Sequence, residues 1–368
     1  MNQRAPTGPY CPRPGPSAVV QLRHGAGGVE AQSLIEGLFR SAFDAAAQKL
    51  DADASEINPD SALLVDGLRH DSALLELGTN RVAFTTDGYV VTPLFFDGGS
   101  IGKLAVCGTC NDLAMLGAEP KWLSAAFVLE EGLALETLAR VIAELTQSAV
   151  AAKVRIVAGD TKVVERGKGD GVYITTTGLG LMRAPSIWSP KAIQEGDAIV
   201  VSGDLGRHGS AVLCAREGLG AKGLPPSDCA NLWPAVASLI DARAEIHCLR
   251  DLTRGGLGAA LLELSQAAGV LMEIDETALP VCAQVRDFCE LLGLDPIYVA
   301  CEGRFVAVVA PSSVDETLAA LSDCSIGEPK LVGRVRNRQA RGAVHSRSAY
   351  GTLRPIDVGG AEQLPRIC

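Results

Sequence analysis

The sequence lacks the features that would tie the protein to a nucleic acid or a membrane. It carries 33 Lys and Arg against 43 Asp and Glu, for a net charge of −10, and has no basic stripe. Nucleic-acid and anionic-membrane partners both call for a basic face. No uncharged apolar stretch approaches the ~20 residues that cross a bilayer, and no apolar signal-peptide core is visible. We therefore expect a cytoplasmic protein with no nucleic-acid or membrane partner.

The eleven cysteines also lack a recognisable pattern. Their number is odd and their spacing irregular, and only Cys107 and Cys110 form a C-x-x-C pair. No second C-x-x-C and no H-x-x-x-H completes a zinc site. We expect reduced thiols and a structural role for this pair, with a redox pair as the alternative.

The common nucleotide-binding motifs are absent as well. The sequence has no Rossmann G-x-G-x-x-G, and the stretch 98–104 is one residue too short for a P-loop. Leu104 also stands where a P-loop requires Ser or Thr. Any nucleotide must therefore bind by other means.

Two predicted strands end at an acidic residue. Residues 81–88 alternate between apolar and polar side chains and include Asp87, and residues 154–158 have the composition of a buried strand leading to Asp160. Lys162 follows two residues later. Carboxylates at strand ends are where α/β sites usually hold Mg²⁺ and phosphate.

Other stretches add to this pattern. A helix predicted over residues 107–114 carries Asn111 and Asp112, and Asp251 precedes a glycine-rich helix start. A second glycine-rich helix start contains His24, Gly25, Gly27 and Gly28. Backbone N–H groups at such starts can cradle a phosphate. Each residue alone is more often a cap or turn residue, but together they predict a nucleotide held by Mg²⁺ and backbone amides.

Turn signals and composition predict the domain organisation. We expect a proline-rich extension over residues 1–18, two α/β domains over residues 19–185 and 186–350, and a mobile tail over residues 351–368. Each domain should be an open mixed sheet with helices. The tail ends in Cys368, a thiol at a position that is normally poorly ordered. A frayed end without function is the alternative for this cysteine.

Taken together, the motifs resemble one family. The matching stretches are His24–Gly28, Thr86–Gly88, Cys107–Asp112, Gly159–Val164, Asp251–Gly256, Glu302–Gly303 and the terminal Pro365–Cys368. They are similar to the HypE family of hydrogenase maturation factors, within the PurM-like superfamily of aminoimidazole ribonucleotide synthetase. The resemblance runs from about Val19 to Cys368. Cys110 departs from it, because the family has a small or apolar residue there.

The resemblance implies chemistry at Cys368. In this family a HypF-type carbamoyltransferase loads a carbamoyl group onto the terminal thiol, and ATP then drives its dehydration to a thiocyanate. The cyanide passes to a HypC/HypD complex for the iron of [NiFe]-hydrogenase. Amide oxygen is a poor leaving group, so phosphorylation and the loss of two N–H protons are both required. The implied cofactors are ATP and Mg²⁺, and the implied assembly is a homodimer that pairs through the first domain.

The resemblance also implies residue roles. Asp87, Asp112, Asp160 and Asp251 would hold Mg²⁺, while the His24–Gly28 loop, Asn111 and Thr161 would contact the nucleotide. Glu302 would accept a proton from the carbamoyl group. Lys162 would be a base only if burial lowered its pKa, and would otherwise be an electrostatic clamp. His208 and Arg254 could contact phosphate, although a solvated loop histidine is nearly as good an explanation.

Two rival functions remain open from the sequence. A small-molecule kinase or synthetase of the same superfamily would make Cys368 incidental. A non-catalytic protein whose carboxy-terminal peptide docks in a partner's groove would need no ATP.

Overall fold

The computed structural model describes residues 20, 34–40, 42, 70–78, 80–219, 223–339, 341–357 and 367–368. The predicted extension over residues 1–18 and the stretch containing His24, Gly25, Gly27 and Gly28 lie outside the described residues, as do residues 358–366 of the predicted tail.

Within the described residues there are fourteen strands and seven α-helices. The strands are β1 (Ala73–Leu77), β2 (Asn80–Tyr89), β3 (Phe95–Phe96), β4 (Gly99–Ser100), β5 (Ala118–Glu130), β6 (Arg155–Val164), β7 (Val172–Met182), β8 (Ala198–Val201), β9 (Ile246–Asp251), β10 (Val270–Asp275), β11 (Phe305–Val309), β12 (Lys330–Arg338), β13 (Ala343–Arg347) and β14 (Leu353–Pro355). The α-helices are α1 (Ile101–Met115), α2 (Leu135–Ala151), α3 (Arg207–Arg216), α4 (Trp233–Asp241), α5 (Gly256–Ala268), α6 (Ala283–Leu292) and α7 (Val314–Ser322). Short 3₁₀ turns and a π-helical turn, Ile35–Arg40, complete the set.

The first sheet has the strand order β1-β2-β7-β5-β6. Only β5 and β6 run parallel, so the sheet is mixed. Helix α1 packs against it and is buried along most of its length, because its many Ala, Gly and Cys side chains allow close approach to the strands. Strand β6 forms one edge, and nine of its ten residues are exposed. The expectation of a buried strand at residues 154–158 is therefore wrong within this chain.

The second sheet has the strand order β14-β13-β10-β12-β8-β11-β9. The pair β10 and β13 is parallel and the other pairs are antiparallel. The inner strands β8 and β11 are fully buried and rich in Val and Ile, as strands covered on both faces usually are. Two apolar clusters cover the two faces of this sheet. The predicted class of mixed sheets flanked by helices is confirmed.

Asn111 on α1 joins the two halves of the molecule. Its amide nitrogen donates to the main-chain oxygens of Ala230, at 3.0 Å, and Glu302, at 3.3 Å, and its oxygen accepts from the N–H of Leu232 at 2.8 Å. The side chain is buried. Because these contacts occupy both ends of the amide, the structure gives Asn111 a structural position and not the nucleotide contact that we expected.

No helix among the described residues is both long and apolar enough to span a membrane.

Candidate active site

Three carboxylates from three elements meet where the two sheets approach each other. Asp71 precedes β1, Asp112 lies on α1, and Asp251 ends β9. One oxygen from each lies within 4.8 Å of the others. The sequence pattern identified Asp112 and Asp251 but missed Asp71, because Asp71 precedes a strand and reaches the site only through strand pairing. The pairing of β1 with β2 brings Asp71 to this site, where its main-chain oxygen accepts from the Thr85 hydroxyl at 3.0 Å.

Burial and neighbouring negative charge raise the pKa of all three acids. Burial, followed by the charges of Asp251, Asp71 and Asp87, raises the pKa of Asp112 well above its usual range. Burial and Asp71 do the same for Asp251. Burial also raises the pKa of Asp71, although Arg250 Nη1 lies 2.5 Å from its Oδ1 and opposes the shift.

This acid cluster (Asp71, Asp112 and Asp251) fits a hard divalent cation. Its donors are all carboxylate oxygens, which Mg²⁺ prefers. Among the described residues, no hydrogen bond reaches the buried Oδ2 of Asp71. A cation would supply the missing partner and relieve the mutual repulsion.

Asp87 lies at the rim of this cluster. It is half-buried, and its Oδ1 accepts from the N–H of Gly88 at 2.8 Å. Its negative charge raises the pKa of Asp112, Glu302 and Cys368, which places it close to all three. Asp87 is therefore beside the site, but it is not one of the three clustered carboxylates.

Glu302 is buried between the acid cluster and the end of the chain. Burial, followed by the charges of Asp251 and Asp87, raises its pKa well above the usual range. No hydrogen bond from the described residues reaches its Oε1. This environment favours the neutral acid, so a proton-accepting Glu302 at neutral pH requires positive charge nearby, such as a cation in the acid cluster.

Cys368 docks inside the site. Its main-chain oxygen accepts from the N–H of Val90 at 3.1 Å, and the preceding Ile367 is buried in the apolar core of the first domain. Burial and Glu302 raise the pKa of the Cys368 thiol, while Arg254 opposes the shift. The thiol therefore interacts with the charges of both an acid and a guanidinium group.

His208 holds the docked end of the chain. Its Nε2 donates to the main-chain oxygen of Ile367 at 2.8 Å, so its Nδ1 accepts from the Ser227 hydroxyl at 2.9 Å. The ring is fully buried near the start of α3, and burial lowers its pKa. The expectation that His208 is a solvated or phosphate-binding loop residue is wrong while the chain end is docked.

Asp160, Thr161 and Lys162 lie elsewhere, exposed on the edge strand β6. Lys162 Nζ contacts both oxygens of Asp160, at 2.7 and 2.6 Å. Across the sheet Asp160 is level with Gly88, but three strand spacings, or about 14 Å, separate them. Within one chain, the structure does not bring these three residues to Cys368.

The two cysteines of the C-x-x-C pair have different environments. Cys107 forms a thiol hydrogen bond with Cys229, which lowers the pKa of Cys107, while burial raises that of Cys110. All ten described cysteines are free.

Two family models match consecutive parts of the chain. The model for the N-terminal domain of AIR synthase related proteins matches residues 69–182, and the model for their C-terminal domain matches residues 194–345. Together they cover well over half of the chain.

The chain is also similar to individual relatives. It is 44% identical over 350 residues to carbamoyl dehydratase HypE of Escherichia coli (strain K12), covering 95% of this chain and 99% of that protein. A crystal structure of hydrogenase maturation protein HypE in complex with ATP is 39% identical, with a TM-score of 0.76, and covers 95% of this chain and 100% of that one. The crystal structure of a HypE–HypF complex is 38% identical, with a TM-score of 0.75, and covers 85% of this chain and 99% of that one. The resemblance seen in the sequence is confirmed: the chain has the predicted PurM-like architecture and belongs to the HypE family of carbamoyl dehydratases.

Proposed function

We propose that the chain is an ATP-dependent carbamoyl dehydratase acting on a carbamoyl group carried by its own Cys368. The observation that carries the proposal is the docked chain end: Ile367 is buried, the main-chain oxygen of Cys368 accepts from Val90, and the Cys368 thiol interacts with the charges of Glu302 and Arg254. A carrier thiol must present its cargo to the catalytic groups, and this arrangement does so. A docking peptide for a partner's groove would not be buried in the chain's own core.

The chain's residues divide the reaction between them. The acid cluster and Asp87 would hold Mg²⁺ and the triphosphate, and bound Mg²⁺ would neutralise phosphate charge near the carbamoyl oxygen. Arg254 stabilises the negative charge that develops next to Cys368. Glu302 accepts protons from the carbamoyl nitrogen, so that the phosphorylated oxygen can leave and the nitrile can form.

The proposal includes a homodimer that pairs through the first domain. Within the part of the chain that the structure describes, β6 is an edge strand with exposed apolar side chains, among them Val157 and Val163, and such edges favour pairing with a second chain. Asp160, Thr161 and Lys162 lie on the same strand, so they would act at the site of the partner subunit.

The proposed partners are a HypF-type carbamoyltransferase, which loads Cys368, and a HypC/HypD complex, which accepts the cyanide. One relative is known in a HypE–HypF complex, which supports the first partner. Free thiols at all ten described cysteines and the acidic composition support work in the cytoplasm.

Intact-mass analysis tests the function. The chain is incubated with carbamoyl phosphate, ATP, Mg²⁺ and the carbamoyltransferase, and the peptide that ends in Cys368 is then mapped. We expect a gain of about 43 Da that falls to about 25 Da as the covalently carried group is dehydrated. Cys368→Ala should gain nothing, and Glu302→Gln should stop at the first mass.

An unmodified Cys368, with the transferase active on a control protein, would refute the proposal. That result would favour the small-molecule kinase instead.

A further inference from the structure

Glu302 is held at its backbone by a short segment between α3 and α4. Its N–H donates to Oδ1 of Asp228 at 3.2 Å. Its main-chain oxygen accepts from the N–H of Ala230 and from the amide of Asn111, each at 3.3 Å. Because both polar groups of the peptide backbone are fixed, the direction in which the Glu302 side chain leaves the chain is fixed too.

The surroundings of Gly303 show how closely the segment containing Asp228 approaches the backbone at Glu302 and Gly303. A Cβ atom at position 303 would lie 1.9 Å from the main-chain oxygen of Asp228, far inside van der Waals contact. Glycine therefore follows Glu302 because any larger residue would push Asp228 away from the Glu302 N–H.

The buried carboxyl group of Asp228 has few polar partners to replace the water that it loses on folding. Its side chain is fully buried, and among the described residues no hydrogen bond reaches its Oδ2. Arg304 Nη1 lies 3.8 Å from that oxygen, whereas the same guanidinium donates to Asp204 at 2.6 Å. Burying a carboxylate with incomplete partners costs stability. The arrangement therefore points to a role other than stability.

We propose that Asp228 is a positioning residue for Glu302. Its carboxylate fixes the backbone from which Glu302 presents its carboxyl group to the cargo on Cys368. The adjacent Ser227 holds His208, which binds the docked chain end. Two neighbouring residues thus set the separation of base and thiol. The inference rests on the proposed function, and Asp228 acts through Glu302 without touching the cargo.

Single-turnover dehydration of full-length, Cys368-carbamoylated protein tests this role. Asp228→Ala should slow the step about 10- to 100-fold, as expected when a catalytic group is misplaced by about 1 Å. The Kd for ATP should stay within about twofold of wild type, because the acid cluster is untouched. Asp228→Asn keeps an acceptor oxygen for the Glu302 N–H and should remain within about threefold of the wild-type rate. The matched control is Asp204→Ala, which also loses a partner of Arg304 but leaves Glu302 held.

Hydrogen exchange at the Glu302 amide provides a readout that needs no turnover. Exchange should accelerate in Asp228→Ala and not in Asp228→Asn or Asp204→Ala. The inference fails if Asp228→Ala matches wild type in both measurements, if its ATP affinity drops as far as its rate, or if Asp228→Asn is as slow as Asp228→Ala. A wild-type chain that never dehydrates its cargo would overturn the proposed function instead. Positioning would then be judged by exchange alone, and unchanged protection in Asp228→Ala would overturn it.

Discussion

At the scale of single residues, the acids of the site are crowded. Burial is the first cause that raises the pKa of Asp112, Asp251 and Glu302, and the neighbouring negative charges add to it. Positive charge in the cluster would favour the ionised carboxylates and reverse this effect. Fold stability in the absence of a cation therefore favours fewer negative charges at these side chains, whereas binding of a cation would require those charges.

The substitution Asp112→Asn distinguishes the effect of the carboxylate on fold stability from its effect on cation binding. Removing one of the crowded charges should increase the free energy of unfolding in metal-free buffer, within the roughly 0.5–3 kcal/mol span of single substitutions. The same change should weaken the added stabilisation by Mg²⁺ and ATP, because one ligand charge is lost. Thermal unfolding with and without Mg²⁺ and ATP measures both effects.

Asp241→Asn is the matched control for that experiment. Asp241 is exposed at the end of α4, so the substitution should change neither measurement. An Asp112→Asn protein that responds to Mg²⁺ and ATP as strongly as wild type would exclude Asp112 as a ligand.

His208 makes a pH-dependent contribution. Burial lowers its pKa in the folded protein, against the opposing effects of the Asp228 charge and the hydrogen bond to Ile367, so folding favours the neutral ring. The unfolded state binds a proton below about pH 6.5, which favours unfolding. The stabilisation by His208 is therefore present above about pH 6.5 and lost as the pH falls, by at most about 1.4 kcal/mol per pH unit.

His208→Gln provides the comparison, because Gln does not titrate. We expect the difference in unfolding free energy between wild type and His208→Gln to grow from pH 5.5 to pH 7.5 in denaturant titrations. A difference that is constant over this range would contradict a neutral, buried His208.

At the scale of elements, β6 stands apart from the other strands of its sheet. Its apolar residues Ile156, Val157 and Val163 are 40%, 63% and 67% exposed. A further strand or chain packed on β6 would remove this apolar surface from water. The apolar run predicted a strand correctly. It could not predict burial, because an apolar run shows only that a surface should be covered and not which chain covers it.

Val163→Lys tests the proposed pairing of two β6 strands. A charge at this edge should turn a dimer into a monomer of 38.3 kDa, measured by light scattering after size exclusion. Conversion of the Cys368 cargo should fall with it, because Lys162 would lose the partner site.

Val150→Lys on α2 is the control for that variant, since Val150 is 74% exposed but lies on a helix. It should remain dimeric. A wild-type chain that is monomeric at micromolar concentration would refute the pairing itself.

At the scale of the whole molecule, Asn111 couples the two domains. Among the described residues its three hydrogen bonds all reach the second half of the chain, and removing it leaves the main-chain oxygen of Ala230 and the N–H of Leu232 without this partner. Asn111→Ala should lower the free energy of unfolding by about 2–4 kcal/mol. Calorimetry should then show two separated transitions where wild type shows one.

Asn231→Ala serves as the control, because among the described residues its side chain accepts from the nearby Trp233 N–H, which belongs to the same domain. It should leave a single transition. Two transitions in the wild type, or one in Asn111→Ala, would show that Asn111 does not couple the domains.

The sequence predicted the local features of this architecture and missed those that depend on distant contacts. Strand 81–88, the helix carrying Asp112 and the strand 305–309 follow from short-range periodicity, and β2, α1 and β11 confirm them. Asp71 and Asp228 were missed because strand pairing and a loop, both distant in sequence, bring them to the site. The domain boundary at residues 185 and 186 stays a prediction, although it falls in the connection between β7 and β8.

The acid cluster is divided between the domains, since Asp71 and Asp112 come from one and Asp251 from the other. Neither half of the gene would therefore encode the proposed cation site on its own. A chimaera that joins one domain of this protein to the other domain of a distant relative would have to reproduce ligand spacings set by both parents. Recombination at the domain boundary should thus be poorly tolerated, and we expect the two halves to evolve as one unit.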